Sequence, residues 1–150
     1  DKQTERGIAA GKETDATTIK TVTRFTLNDK LSLTTRIDYK WIRQSGSRGM
    51  IMAQDLAYRF ASMPVTLWAR YCIYNTDDWD SRIYLYENDL LYSFSIPAFS
   101  ETGTRSYIMA KWDIGDFAEL RVKYGLTSRS GTIDTESNND DLKVQFRIWF

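Results

Sequence analysis

The sequence predicts an all-β protein, an antiparallel transmembrane up-and-down β-barrel with about nine strands in this chain and more elsewhere in a larger barrel. Three observations predict it. Apolar and polar residues alternate with a period of two almost without a break after Thr18, and helical periodicity is essentially absent. Turn-forming triplets and longer polar links take turns down the chain. The last alternating stretch finishes on an aromatic residue, Phe150.

Residues 1–17 precede the alternation and read as an extracellular loop or flexible N-terminal segment, with barrel strands over 18–150. A first, weaker strand is expected over Ile19 to Leu27. The clearest strand follows: Leu31, Leu33, Thr35, Ile37, Tyr39 and Trp41 alternate with Ser32, Thr34, Arg36, Asp38 and Lys40, one face suited to lipid and one to water. In the next, Met50, Met52, Gln54, Leu56, Tyr58 and Phe60 oppose Ile51, Ala53, Asp55, Ala57 and Arg59. Val65, Leu67, Ala69, Tyr71 and Ile73 then oppose Thr66, Trp68, Arg70, Cys72 and Tyr74. Strands are also expected over Arg82 to Tyr86, Leu90 to Ile96 and Arg105 to Ile114. Ala118, Leu120, Val122, Tyr124 and Leu126 oppose Glu119, Arg121 and Lys123 in the penultimate strand.

Tight turns are expected at Asn28-Asp29-Lys30, Ser62-Met63-Pro64, Glu87-Asn88-Asp89 and Gly115-Asp116, where Asn, Asp, Gly and Pro suit the backbone geometry. Longer links are expected around Ser45 to Gly49, Asn75 to Ser81, Ala98 to Gly103 and Ser128 to Asp141. Bacterial barrels keep short turns on the periplasmic side and long loops outside, so this parity runs the last strand toward the periplasm and starts the first outside. An even-stranded barrel then needs at least one further strand upstream. Were Arg82 to Ile96 one long strand, the count would be eight and the barrel could close alone, but long and short connections would mix on both sides.

Composition narrows the function. With 20 basic and 20 acidic residues the net charge is zero, which offers nothing to nucleic acid backbones. Cys72 is the single cysteine, so neither an intrachain disulfide nor a thiolate metal cluster is available. Histidine, the usual general base and a common metal ligand, is missing, which disfavours catalysis, and no cofactor is expected. No apolar run is long enough for a membrane-spanning helix, and a mean hydropathy of −0.47 is compatible with a barrel, whose alternating strands average out. The start at Asp1 carries no export signal and is expected to represent a mature or truncated form.

Charges predicted to line the lumen, and to fill it or bind solute, are Arg36, Asp38, Lys40, Asp55, Arg59, Arg70, Lys111, Glu119, Arg121, Lys123, Lys143 and Arg147. Bases outnumber acids in this set, implying a mild anion preference if a pore exists. Tyr39, Trp41, Tyr71 and Tyr124 toward the outer end of the strands, and Tyr58, Phe60, Trp112 and Phe150 toward the inner end, form two candidate aromatic girdles. The acidic groups Asp77, Asp78, Asp80 and Asp134, Glu136, Asp140, Asp141 lack the spacing of an EF-hand and read as solvated loops.

In the last strand Leu142, Val144, Phe146, Ile148 and Phe150 share one face and Lys143, Gln145 and Arg147 the other, with Trp149 on the polar side. This resembles the C-terminal signature of Gram-negative outer-membrane proteins, which implies recognition by the barrel-assembly machinery. The stretch Asp80-Ser81-Arg82-Ile83-Tyr84-Leu85-Tyr86-Glu87-Asn88-Asp89-Leu90-Leu91-Tyr92-Ser93-Phe94 resembles the barrel region of Bacteroidota envelope proteins named for an N-terminal helix-hairpin-helix domain. That domain's motif is absent from this sequence, so the resemblance implies location and architecture, not DNA binding. The expected function is a transport or pore protein of the outer membrane, or a membrane subunit of a larger secretion or uptake complex. Its expected partners are the bilayer, the assembly machinery and the remaining strands or envelope proteins. A lipid-modifying outer-membrane enzyme with its catalytic residues elsewhere, or a soluble lipocalin-like binder, is the alternative.

Overall fold

A computed structural model describes residues 15–130 and 136–150. The fold is all-β and antiparallel, with nine strands and no helix among the described residues. Seven long strands, β1 (Ala16–Asn28), β2 (Leu31–Ile42), β3 (Arg48–Arg59), β4 (Val65–Thr76), β7 (Thr102–Ile114), β8 (Ala118–Ser130) and β9 (Glu136–Ile148), pair in the order β1-β2-β3-β4-β7-β8-β9. Each pairs with its neighbour in an antiparallel meander, and the sheet is not closed. The remaining two, β5 (Ile83–Tyr84) and β6 (Ala98–Phe99), pair only with each other.

The turn chemistry explains the meander. Asn28 accepts the backbone N–H groups of Lys30 and Leu31 on its side-chain oxygen, at 2.9 and 3.0 Å, and so closes the β1–β2 turn. Gly115 supplies the left-handed φ of +58° that the two-strand reversal between β7 and β8 requires. Residues 60–64 close β3 to β4, with the Phe60 N–H donating to the Val65 carbonyl at 3.0 Å.

The structure departs from the sequence expectation in the middle of the chain. Arg82 to Tyr86 and Leu90 to Ile96 are not strands of the sheet, and Glu87-Asn88-Asp89 is not a barrel turn. Residues 77–101 form instead one long connection between β4 and β7, folded back as a hairpin over one face of the sheet. Its legs meet at Ile83↔Phe99, Tyr84↔Ala98 and a bridge Glu87↔Ser95. The single long strand over Arg82 to Ile96 is equally excluded. Because two strands leave the sheet together, the parity survives: β9 still ends at the short-turn end.

Two boundaries also move. The link expected from Ser128 to Asp141 is largely strand, with Ser128↔Asn138 and Ser130↔Glu136 paired in register. At the other end β1 starts at Ala16, three residues before the strand expected from Ile19.

The core lies between hairpin and sheet. Ile51, Ala53, Cys72 and Tyr74 from β3 and β4 pack beneath Ile83, Leu85 and Phe99 of the hairpin. Tyr74 and Phe99 rings meet at 4.9 Å between centroids. Gly49 makes room for this layer, since a Cβ there would collide with the Ser81 carbonyl oxygen.

Candidate functional site

Strand register sorts every sheet residue onto the face that carries the hairpin, here the covered face, or the opposite, bare face. The bare face is apolar and exposed. Ile37, Tyr39, Trp41, Met50, Met52, Leu56, Tyr71, Ile73, Ile108, Trp112, Tyr124, Leu126, Leu142, Val144, Phe146 and Ile148 all stand on it with large exposed surfaces.

These side chains form a band that crosses the strands obliquely. In β2 and β3 the apolar stretch reaches the long-loop end, at Trp41 and Met50. The same rows in β7 and β8 hold Thr102, Thr104, Ser128 and Ser130, and the apolar stretch has moved to Ile108–Trp112 and Leu120–Leu126. In β9 it occupies Leu142 to Ile148, at the turn end. A band that slides along successive strands is level with respect to an axis from which the strands tilt, as strands of a barrel do.

The covered face gathers the charges. Its bases are Lys20 and Arg24 on β1, Arg36 and Lys40 on β2, Arg59 on β3, Arg70 on β4, Arg105 and Lys111 on β7, Arg121, Lys123 and Arg129 on β8, and Lys143 and Arg147 on β9. Its acids are Asp38, Asp55, Asp113, Glu119 and Asp141. Bases outnumber acids by more than two to one, although the chain as a whole is neutral.

The hairpin is tied to this face from β2 to β9. Lys40 Nζ donates to the Asp80 and Arg82 carbonyls at 2.6 and 3.3 Å. Arg70 holds Asp55 by a two-pronged ion pair and donates to the Tyr86 carbonyl at 2.5 Å. Glu87, fully buried, accepts from Arg105 at 2.6 and 2.9 Å and from fully buried Lys123 at 3.2 Å. Asp89 accepts from Lys143 at 2.6 Å and lies 3.8 Å from Lys123. At the tip, the Leu91 N–H donates to Gln145 at 3.0 Å and Gln145 donates back to the Leu91 carbonyl at 2.9 Å. No buried side-chain polar atom among the described residues lacks a partner, so the charges are held in a satisfied network.

The expected site residues can now be placed. All twelve predicted lumen charges share the covered face, but several pair locally: Arg36 with Asp38 at 2.7 Å, Lys111 with Asp113 at 2.8 Å, and Arg121 with Glu119 at 2.8 Å. Tyr39, Trp41, Tyr58, Tyr71, Trp112 and Tyr124 stand on the bare face, and Phe60 lies just past the end of β3, its ring 4.9 Å from that of Tyr58. Leu142, Val144, Phe146 and Ile148 occupy the bare face of β9, whereas Phe150 lies beyond the strand's end and is wholly exposed. Sequence reasoning missed Glu87 and Asp89, which it spent on a turn, and left Arg105 out of the lumen set. Length was the overlooked signal: a membrane-crossing strand needs about 9–11 residues, and the two stretches flanking Glu87 to Asp89 are shorter.

Of the acids expected in solvated loops, Asp77, Asp78 and Asp80 lie in the β4–β7 connection, whereas Glu136, Asp140 and Asp141 are strand residues of β9. Asp77 accepts the Arg48 N–H at 2.8 Å. Asp78 is held below the usual carboxylate range by the Ser47 hydroxyl and then by the Ser81 N–H. Asp141 pairs with Arg105 at 3.1 Å across Gly125, where a Cβ would crowd both side chains. Asp134 lies outside the described residues, and among those described no group of three or more His, Cys, Asp or Glu side chains is placed to hold a metal ion. No family model, no curated protein and no solved structure matches this chain.

Proposed function

We propose that this chain belongs to an outer-membrane β-barrel of a Gram-negative cell, closed by further strands, which works as a transport or pore protein or as a membrane subunit of a secretion or uptake complex. The observation that carries the proposal is the oblique apolar band on the bare face, opposed by a charged face. A soluble sheet turns its apolar side to a core; here the charged side carries the packed layer and the apolar side is bare. Lipid is the solvent that suits such a surface.

The free edges support closure. β1 and β9 are each 13 residues long and neither is paired on its outer side among the described residues, and an exposed edge of that length is a template for another strand. The resemblances of the last strand and of the segment from Asp80 to Phe94 support the same location, and on this reading Leu142 to Phe150 is the stretch that the assembly machinery reads.

Phe146→Arg and Gln145→Arg, neighbours on opposite faces of β9, test the proposal in the full polypeptide. A charge on the lipid side of a barrel costs about 2–4 kcal/mol near mid-membrane. Phe146→Arg should therefore deplete the folded protein from the detergent-extractable outer-membrane fraction, while Gln145→Arg should not. Equal partitioning of both variants, or recovery of the unmodified protein in the aqueous fraction without detergent, overturns it.

A further inference from the structure

Between the hairpin tip and the turn end of the covered face lies a pocket of about 430 Å³, a volume in the range of small-molecule sites. It is lined by three aromatic residues, Trp68 from β4 and Tyr86 and Tyr92 from the hairpin, by Lys111 and Arg121 from β7 and β8, and by Asp89, whose carboxylate is already engaged by Lys143. Lys111 pairs with Asp113 at 2.8 Å, which leaves two of its three ammonium donors, and Glu119 engages Arg121 through Nε and Nη2, one side of a five-donor guanidinium. Arg59 and Arg147 stand on the same and the adjoining row of the sheet. Together with Lys111 and Arg121 they make four bases against three acids, Asp113 and Glu119 of those rows and Asp89 of the hairpin.

Tyr92 is the second observation. It holds a left-handed backbone, φ +63°, that a residue with a Cβ adopts only against strain, and its side chain is 95% exposed. Against the strain stands only the turn bond from the Ser93 N–H to the Leu90 carbonyl at 3.1 Å, and the ring itself is left to solvent.

We infer that this pocket binds a small organic anion with a flat apolar body, its carboxylate or sulfonate on Lys111 and Arg121 and its ring against Trp68, Tyr86 and Tyr92. The rings contribute stacking area, and the two cations contribute charge-assisted hydrogen bonds at one end. For its role in transport the inference rests on the barrel reading, since the covered face is then the lumen. The pocket itself does not, because all its walls are residues of this chain.

Isothermal titration of the full polypeptide in lipid nanodiscs tests it, with 2-naphthoate as the anion, 2-naphthylmethanol as its neutral counterpart and inorganic phosphate as an anion without a ring. Naphthoate should bind about tenfold more tightly than the alcohol, and phosphate more weakly than naphthoate. Tyr92→Gly relieves the strained backbone, so it should melt no lower than the parent while weakening naphthoate about three- to tenfold. Lys111→Gln should weaken naphthoate and leave the alcohol unchanged. Equal affinity for naphthoate and alcohol, or unchanged naphthoate binding in Tyr92→Gly, overturns the site. A membrane-inserted protein that binds none of the probes also overturns the site and leaves the barrel standing. A protein that stays in the aqueous phase yet prefers naphthoate overturns the barrel and leaves the site.

Discussion

Lys123 has no exposed surface, and the acceptor that keeps its charge tolerable is Glu87, itself fully buried and shared with Arg105. Removing one partner of such a pair strands the other charge, a loss of about 3 kcal/mol, whereas replacing both by apolar residues of similar volume is often neutral. Glu87→Gln should therefore loosen the hairpin, and Glu87→Leu combined with Lys123→Met should recover much of the loss. Cys72, buried beneath the hairpin, is the built-in reporter: maleimide labelling should accelerate in the single variant and slow again in the double. Asp89 makes the hairpin's hold depend on pH. Burial would raise its pKa, but the hydrogen bond from Lys143, the Leu90 N–H and the charges of Lys123 and Lys143 together hold it below the ordinary carboxylate value. A depressed folded-state pKa means the contribution is full above the unfolded carboxylate range and is lost as pH falls through the folded value. The Leu90 amide, which donates to Asp89 at 2.8 Å, should keep its hydrogen-exchange protection at neutral pH and lose it in acid once intrinsic rates are divided out.

The hairpin shows both how far the elements can be read from sequence and where that reading stops. The seven sheet strands are legible because each turns apolar residues to one face and polar residues to the other, which writes a period of two into the sequence whether or not a face is buried, as in the wholly exposed β1. Ile83, Tyr84, Leu85 and Tyr86 obey the same period, with Ile83 and Leu85 buried against the sheet and Tyr84 and Tyr86 turned away. Local pattern alone cannot separate a strand between lipid and lumen from a leg between sheet and solvent. The partners that define the hairpin are spread from β2 to β9, 40 residues away in the Lys40 to Asp80 bond and 54 in the Lys143 to Asp89 bond, beyond the reach of any local window. Glycines record the contact more directly. At Gly49 the obstacle to a Cβ is the Ser81 backbone, while at Gly125 it is the ends of the Asp141 and Arg105 side chains, which can move. Gly49→Ala should thus displace the hairpin and speed Cys72 labelling clearly more than Gly125→Ala, and equal rates would mean that Ser81 is not held against β3.

At the scale of the whole molecule, neutrality conceals a segregation of charge. Bases collect on the covered face of the strands, while many acids sit in connections, among them Asp29, Asp77, Asp78, Asp80, Glu101 and Asp116. The hairpin then returns two acids, Glu87 and Asp89, to the middle of that basic face. In the proposed barrel it both narrows the lumen and tempers the lumen's charge. Deleting residues 80–96 and bridging the gap with glycine separates these roles from the fold of the sheet, whose strand pairs need none of those residues. Arg105, Lys123 and Lys143 would then face water in a wider passage, where their charge no longer needs a buried acceptor. Two shifts should appear together in planar bilayers holding the full polypeptide: a several-fold rise in single-channel conductance, and a reversal potential in a salt gradient displaced toward the anion, because removing acids leaves the bases in greater excess. Conductance that rises with no gain in anion selectivity would mean that the covered face does not line the conducting path. If conductance stays the same, the hairpin does not stand in that path at all.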